Sequence, residues 1–229
     1  MSFQTPRLRK IRKSTFRLIP SLAILAGLAW PVAADNMIDE SRYFRKLDDV
    51  NSNTITKLGD PAPVFKVTTI AGEEFDIEKL RGKVIYINLF TTWCGWCHWQ
   101  EPFIKDVVWP RFKDEENFVM VAIAREEDAE TVRRYAKRQS LPYATAPDPD
   151  RRIFALFANG NVARHYVIDA EGRIAYQSND GAIEAAGECR VNEQGEISYE
   201  EFLGKRFGKM MEIIESELEK VREKSIAVE

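Results

Sequence analysis

The chain has 229 residues, 33 Lys and Arg against 36 Asp and Glu, and a formal net charge of −3. That balance lacks the basic footprint of a nucleic-acid binder, and three cysteines are too few for a disulfide-built scaffold. No internal repeat or low-complexity segment breaks the chain.

Residues 1–34 carry six basic residues and no acid. The charge lies between Arg7 and Arg17, and Leu18 to Ala34 is mostly apolar. Val32-Ala33-Ala34 before Asp35 places small residues at cleavage positions, so 1–34 reads as a secretory signal peptide. An uncleaved inner-membrane anchor is the competing reading, but the apolar run is short for a span. No cysteine follows the cleavage position, which argues against a lipoprotein. Cleavage would leave 195 residues with a net charge of −9, enough for one domain with a sizeable core and no stable membrane span.

Residues 35–57 are polar and read as a lead-in, with one short helix near Ile38 to Leu47. Val64–Thr69 and Glu74-Phe75 are predicted to pair as a hairpin around Ala71-Gly72. Val84–Phe90 is an apolar, β-branched and aromatic run of strand length, and Trp99–Phe112 reads as helix, with Pro102 near its start. A strand is expected at Phe118–Ala124 and a helix at Asp128–Gln139, where Val132, Tyr135 and Ala136 have helical spacing. After the breaks at Pro147 and Pro149, Arg152–Phe157 reads as a short helix. Ala163–Asp169 and Arg173–Gln177 form a closing hairpin across Ala170-Glu171-Gly172. Residues 179–198 are polar and read as a loop. The stretch 199–229 is expected to hold one long amphipathic helix whose Phe202, Met210, Ile213, Ile214, Leu218 and Val221 pack on the sheet.

The chemistry concentrates in Trp93-Cys94-Gly95-Trp96-Cys97-His98. A Cys-x-x-Cys where a buried strand turns into a helix suits redox work. The first sulfur sits at the helix N-terminus, where unpaired N–H groups and the dipole favour a thiolate. The second lies about one turn away and can close a small ring with it. An inert staple is a poor reading, because so small a ring constrains little unfolded-chain entropy. The same letters spell C-x-x-C-H, the attachment motif of c-type haem, but a β-strand leading straight into it fits that reading badly. Zinc held by Cys94, Cys97, His98 and His165 lacks the spacing of a closed site. Residues 192–202 resemble the latter part of a calcium loop, but Arg190 stands where the first carboxylate belongs.

From Leu58 to Gln177 the chain resembles thioredoxin-fold, periplasmic thiol–disulfide oxidoreductases of the TlpA/ResA type. The likeness is carried by Gly59-Asp60-Pro61-Ala62-Pro63-Val64-Phe65, Leu80-Arg81-Gly82-Lys83, the redox motif, Pro102, Asp148-Pro149-Asp150, Val167-Ile168-Asp169 and Glu171-Gly172-Arg173-Ile174. It implies an α/β thioredoxin fold: a central mixed β-sheet flanked by helices, with an N-terminal β-hairpin and a long C-terminal helix, residues 58–178 forming the thioredoxin-like domain. It also implies that Cys94 attacks as the thiolate and Cys97 resolves the mixed disulfide, with Pro102 where the active-site helix kinks. Trp93 would cover the disulfide, and Trp93, Gly95, Trp96, Val162 and Ala163 would form the substrate-binding rim. No cofactor or metal is implied. The expected partners are protein thiols and disulfides of the cell envelope and a redox partner that supplies electrons. Reduction is the expected direction, and the alternatives are a c-type haem protein and a thioredoxin-like binding module without activity. Peroxidase chemistry fits less well: Thr91 stands three before Cys94, as in peroxiredoxins, but Ile87 stands where their proline would be.

Three positions depart from the family. Ala163 stands where a cis-proline faces the disulfide. Because a cis bond without proline costs roughly 2.5–4 kcal/mol, a trans Val162–Ala163 bond is expected. Asn88 replaces a buried acid in the central strand, and Gln100 stands where ResA-like reductases carry a glutamate. Glu101 is adjacent to Gln100 but about 100° round the helix.

Overall fold

The computed structural model describes residues 53–179 and 199–227. The expected signal peptide, the helix expected near Ile38–Leu47, the calcium-loop likeness before residue 199 and Cys189 lie outside them.

Among the described residues a five-stranded sheet runs in the order β5-β4-β3-β6-β7. Its centre, β3 (Val84–Phe90), is buried at every position. This is why its sequence, Asn88 apart, is an apolar run rather than an alternation. β4 (Phe118–Arg125) lies parallel to it in a register that starts at Val84–Phe118. β6 (Arg164–Ile168) lies antiparallel on the other side, with Asn88 opposite His165. β7 (Ile174–Asn179) closes the hairpin with β6. β1 (Lys66–Thr68) and β2 (Glu74–Asp76) pair antiparallel as the expected N-terminal hairpin.

β5 (Ala144–Asp148), parallel to β4, is a strand that the sequence reading missed. Pro147 and Pro149 had been read as breaks. β5 is an edge strand, though, and an edge can hold a proline whose missing N–H would have faced away from the sheet.

The active-site helix α1 (Gly95–Phe103) starts directly after Cys94, four residues before the run read as helix and where the redox motif puts the helix N-terminus. Pro102 lies inside it and has no N–H to donate. Two residues later the helix widens into a π-segment, Ile104–Val108, then resumes as α2 (Trp109–Phe112). α3 (Ala129–Gln139) is capped by Asp128, whose carboxylate accepts from Thr131 N at 2.7 Å. α4 (Phe154–Phe157) starts on buried Asp148, which accepts from Ile153 N and Phe154 N at 2.9–3.1 Å.

The C-terminal helix α5 (Tyr199–Ile226) lies against α1, β3, β6 and β7. Leu203, Phe207, Met210, Ile214 and Leu218 are buried, a stripe at helical spacing. Met210, Ile214 and Leu218 belong to the expected face, with Ile213 and Val221 partly buried beside them. Leu203 and Phe207 extend it. Phe207 stacks on Phe103 at 5.4 Å and meets His165 edge-on at 5.1 Å, so α5 reaches the underside of the active-site helix.

Candidate active site

β3 delivers the chain to the end of the sheet, and Thr91-Thr92-Trp93 carries it over to α1. Cys94 is the N-cap of α1: its backbone is extended (φ −75°, ψ 111°) and its Sγ accepts the Cys97 N–H at 3.1 Å. A sulfur therefore takes the place of the usual hydroxyl or carboxylate cap. Cys94 and Cys97 are joined by a disulfide with Cα atoms 5.2 Å apart. Cys94 is 9% exposed and Cys97 4%, so the first sulfur is the more open of the two.

The rim residues differ in character. Trp93 is 68% exposed, and the Arg125 guanidinium sits 6.0 Å from its ring. Trp96 is partly buried and stacks on Trp99 at 4.7 Å. At Gly95 an added Cβ would meet nothing within 4 Å, so no steric need explains this glycine. Val162 and Ala163 are buried. Their peptide bond is cis, which corrects the trans expectation. That expectation weighed the local preference alone, whereas packing and hydrogen bonds hold this loop. Arg164 Nε donates to Asn161 O at 2.6 Å, its Nη1 donates to Thr54 Oγ1 at 2.7 Å, and Arg125 Nη1 donates to Gly160 O at 2.8 Å.

Beneath the disulfide the site is polar. Gln100 and Glu101, the next helical positions on the Cys97 side, are both buried. Gln100 Oε1 lies 3.3 Å from His165 Nε2, and His165 Nδ1 lies 2.9 Å from the Tyr86 hydroxyl. Glu101 stands four residues after Cys97, so the two share a helix face. The Tyr143 hydroxyl donates to Glu101 Oε1. Burial pushes the Glu101 carboxyl up to about 7, while Tyr143 and Lys105 pull it back only in part. Burial, followed by the Glu101 charge, drives the Tyr143 hydroxyl well above its ordinary value. Asn88 is buried in β3 opposite His165.

His98 turns to the other side. Its Nε2 is 2.7 Å from Thr92 O, and a carbonyl can only accept, so Nε2 carries a proton. His98 and His165 thus serve different partners in different layers of the site. Glu127, at the end of β4, reaches the same threonine: both carboxylate oxygens accept Thr92 N–H at 3.0 Å, and Oε1 accepts the Thr92 hydroxyl at 2.6 Å. The sequence reading passed over Thr92, Arg125, Glu127 and Tyr143. Nothing local marks one of the consecutive acids Glu126, Glu127 and Asp128 as turned inward.

The Redoxin family profile matches residues 57–190. The chain is 26% identical over 118 residues to the thiol-disulfide oxidoreductase ResA of Bacillus cereus, an alignment that covers 52% of this chain and 67% of that protein. A candidate protein disulfide isomerase from Bacteroides thetaiotaomicron superposes with a TM-score of 0.60 at 28% identity, over 73% of this chain and 93% of that one. A thioredoxin-family thiol:disulfide interchange protein from Chlorobium tepidum shares the fold, with a TM-score of 0.50 at 23% identity over 71% and 99% of the two chains. A disulfide capping the helix after the central strand, in a mixed sheet shared with these proteins, fits the sequence likeness. The chain belongs to the Redoxin family and is a thioredoxin-fold thiol–disulfide oxidoreductase of the TlpA/ResA-like type.

Proposed function

We propose that the chain is an exported reductase of protein disulfides, working through Cys94 and Cys97. In the reduced enzyme the Cys94 thiolate attacks a substrate disulfide. The substrate S–S bond breaks, one substrate sulfur leaves as thiolate, and a mixed disulfide links Cys94 to the other. Cys97 then gives its proton to the Glu101 carboxylate and attacks Cys94 Sγ, which expels the second substrate sulfur. Two electrons pass to the substrate, and the enzyme is left with the Cys94–Cys97 disulfide. A partner dithiol restores the reduced form by the reverse exchange. Trp93, Gly95, Trp96, Val162 and Ala163 form the rim that meets the substrate.

One observation carries the direction: a buried carboxylate is fixed two residues before the first cysteine. Glu127 is bound to Thr92, two residues before Cys94, and Glu101 lies one turn past Cys97. The Glu127 charge disfavours a thiolate at Cys94 and so favours the disulfide form of the enzyme, which makes the dithiol a stronger reductant. Export rests on the signal-like residues 1–34, and among the described residues no helix is long and apolar enough to cross a membrane.

The test is a reduction potential, measured on protein recovered from the periplasmic fraction with a mass that starts at Asp35. A value near or below that of thioredoxin, about −270 mV, is expected. A value near that of DsbA, about −120 mV, would reverse the assigned direction.

A further inference from the structure

We propose that Glu127 is a positioning residue for Cys94, acting through Thr92. The proposal rests on the reading of Cys94 as the attacking sulfur.

Thr92 is held at every polar atom. Its N–H and hydroxyl both donate to the Glu127 carboxylate, at 3.0 and 2.6 Å, and its carbonyl accepts from His98 Nε2 at 2.7 Å. The two clamps come from different elements, the β4–α3 connection and the first turns of α1. Only Trp93 separates this fixed residue from Cys94, so the clamp sets where the chain enters the cap. Correct entry allows Cys94 Sγ to lie 3.1 Å from the Cys97 N–H.

The segment that carries Glu127 is built to turn it inward. Glu126 takes a left-handed backbone conformation (φ 60°), which a side chain adopts only under constraint, and its N–H is held by Asp148 O at 2.8 Å. This turn sends two consecutive glutamates opposite ways. Glu126 faces out to Arg125 and Arg151 at 3.0 and 3.7 Å. Glu127 is 8% exposed and spends its oxygens on Thr92. The other charged or titratable groups around this loop are Arg125, over Trp93, and His98, whose ring meets Tyr135 edge-on at 5.2 Å.

Glu127→Gln and Glu127→Ala both remove the negative charge. Only Gln keeps an oxygen that can accept from Thr92 N–H and Oγ1, so the difference between the two variants reads the clamp alone. The measurement is the rate of iodoacetamide alkylation of Cys94 against pH, in the full reduced chain, with sites assigned by mass spectrometry. Glu127→Ala is expected to alkylate several-fold more slowly at pH 7 than Glu127→Gln, with its midpoint moved to higher pH. Thr92→Val, which loses only the hydroxyl bond, should shift in the same direction by less. Asp128→Ala is the control: it removes the cap of α3 without touching Thr92 and should leave the profile unchanged. Matching profiles for Glu127→Gln and Glu127→Ala would overturn the proposal, as would an Asp128→Ala shift as large as that of Glu127→Ala. If Glu127→Ala does not fold, Thr92→Val decides, and an unchanged profile there overturns it. First labelling at Cys97 in the parent chain would instead strike the reading of Cys94 and leave the clamp without its purpose.

Discussion

At Glu101, burial opposes ionisation more strongly than Tyr143 and Lys105 favour it, and the carboxyl rises from 4.5 to about 7. A folded-state value above the unfolded one means that the folded chain holds an extra proton between roughly pH 4.5 and 7. Stability from this group is therefore fully present below about pH 4.5 and is lost as the pH rises through 7. The loss is on the order of 3 kcal/mol, less whatever relaxation around the charge recovers. Glu101→Gln keeps a neutral partner for Tyr143, so its stability should gain on the parent as the pH rises from about 5 to about 8. Denaturant titrations of both proteins across that range check this, and parallel curves would show that the carboxyl ionises freely. Sequence reasoning undervalued Glu101 because it measured the residue against Gln100, from which it is turned about 100°. Measured against Cys97, four positions away, it is turned only about 40° and shares the face. Glu127 gave no comparable signal. Which of two adjacent acids turns inward is set by the backbone at Glu126 and by a threonine 35 residues upstream.

α5 was legible because its apolar residues recur at helical spacing with no competing strand pattern. The central strand was legible because seven consecutive buried positions call for apolar residues, and Asn88 alone breaks the run. Two elements were not. β5 carries Pro147 and so violates the usual composition of a strand, which only its place at the sheet edge allows. The start of α1 has no oxygen cap to announce it, because its cap is a cysteine; the residue pattern alone gave Trp99, and only the redox motif pointed to Cys94. Packing at α5 leads to a prediction of its own. Phe207 is enclosed by Phe103 and His165, so Phe207→Ala removes a ring that both sides have shaped to hold. A loss of about 3–5 kcal/mol is expected, read as a lower denaturant midpoint at unchanged slope. A loss below about 1 kcal/mol would mean that the helix settles into the gap.

For the molecule as a whole, α5 lies beyond the residues matched by the Redoxin profile yet contributes to the same core. Burying Leu203, Phe207, Met210, Ile214 and Leu218 at about 1.5–3 kcal/mol each amounts to on the order of 10 kcal/mol before the entropy of ordering the helix. Domains of this size are stable by only about 5–15 kcal/mol. A chain ending at residue 198 is therefore expected to lose its cooperative thermal transition, and a sharp melt in circular dichroism would show that the family core stands alone. The margins of the sheet have a different consequence. On β5 the Thr145 carbonyl faces outward and accepts from Ile70 N at 2.8 Å, and Pro147, two residues on and facing the same way, has no N–H to offer. On β7, Ile174 exchanges bonds with Asp60 and Gly59 at 2.9 and 2.8 Å, and Gln177 Nε2 reaches Thr56 O at 3.0 Å. A foreign strand arriving from either side finds these backbone groups already taken by the chain's own leading segment and hairpin. Where these groups are taken, the sheet offers no free ladder for a strand of another chain to join.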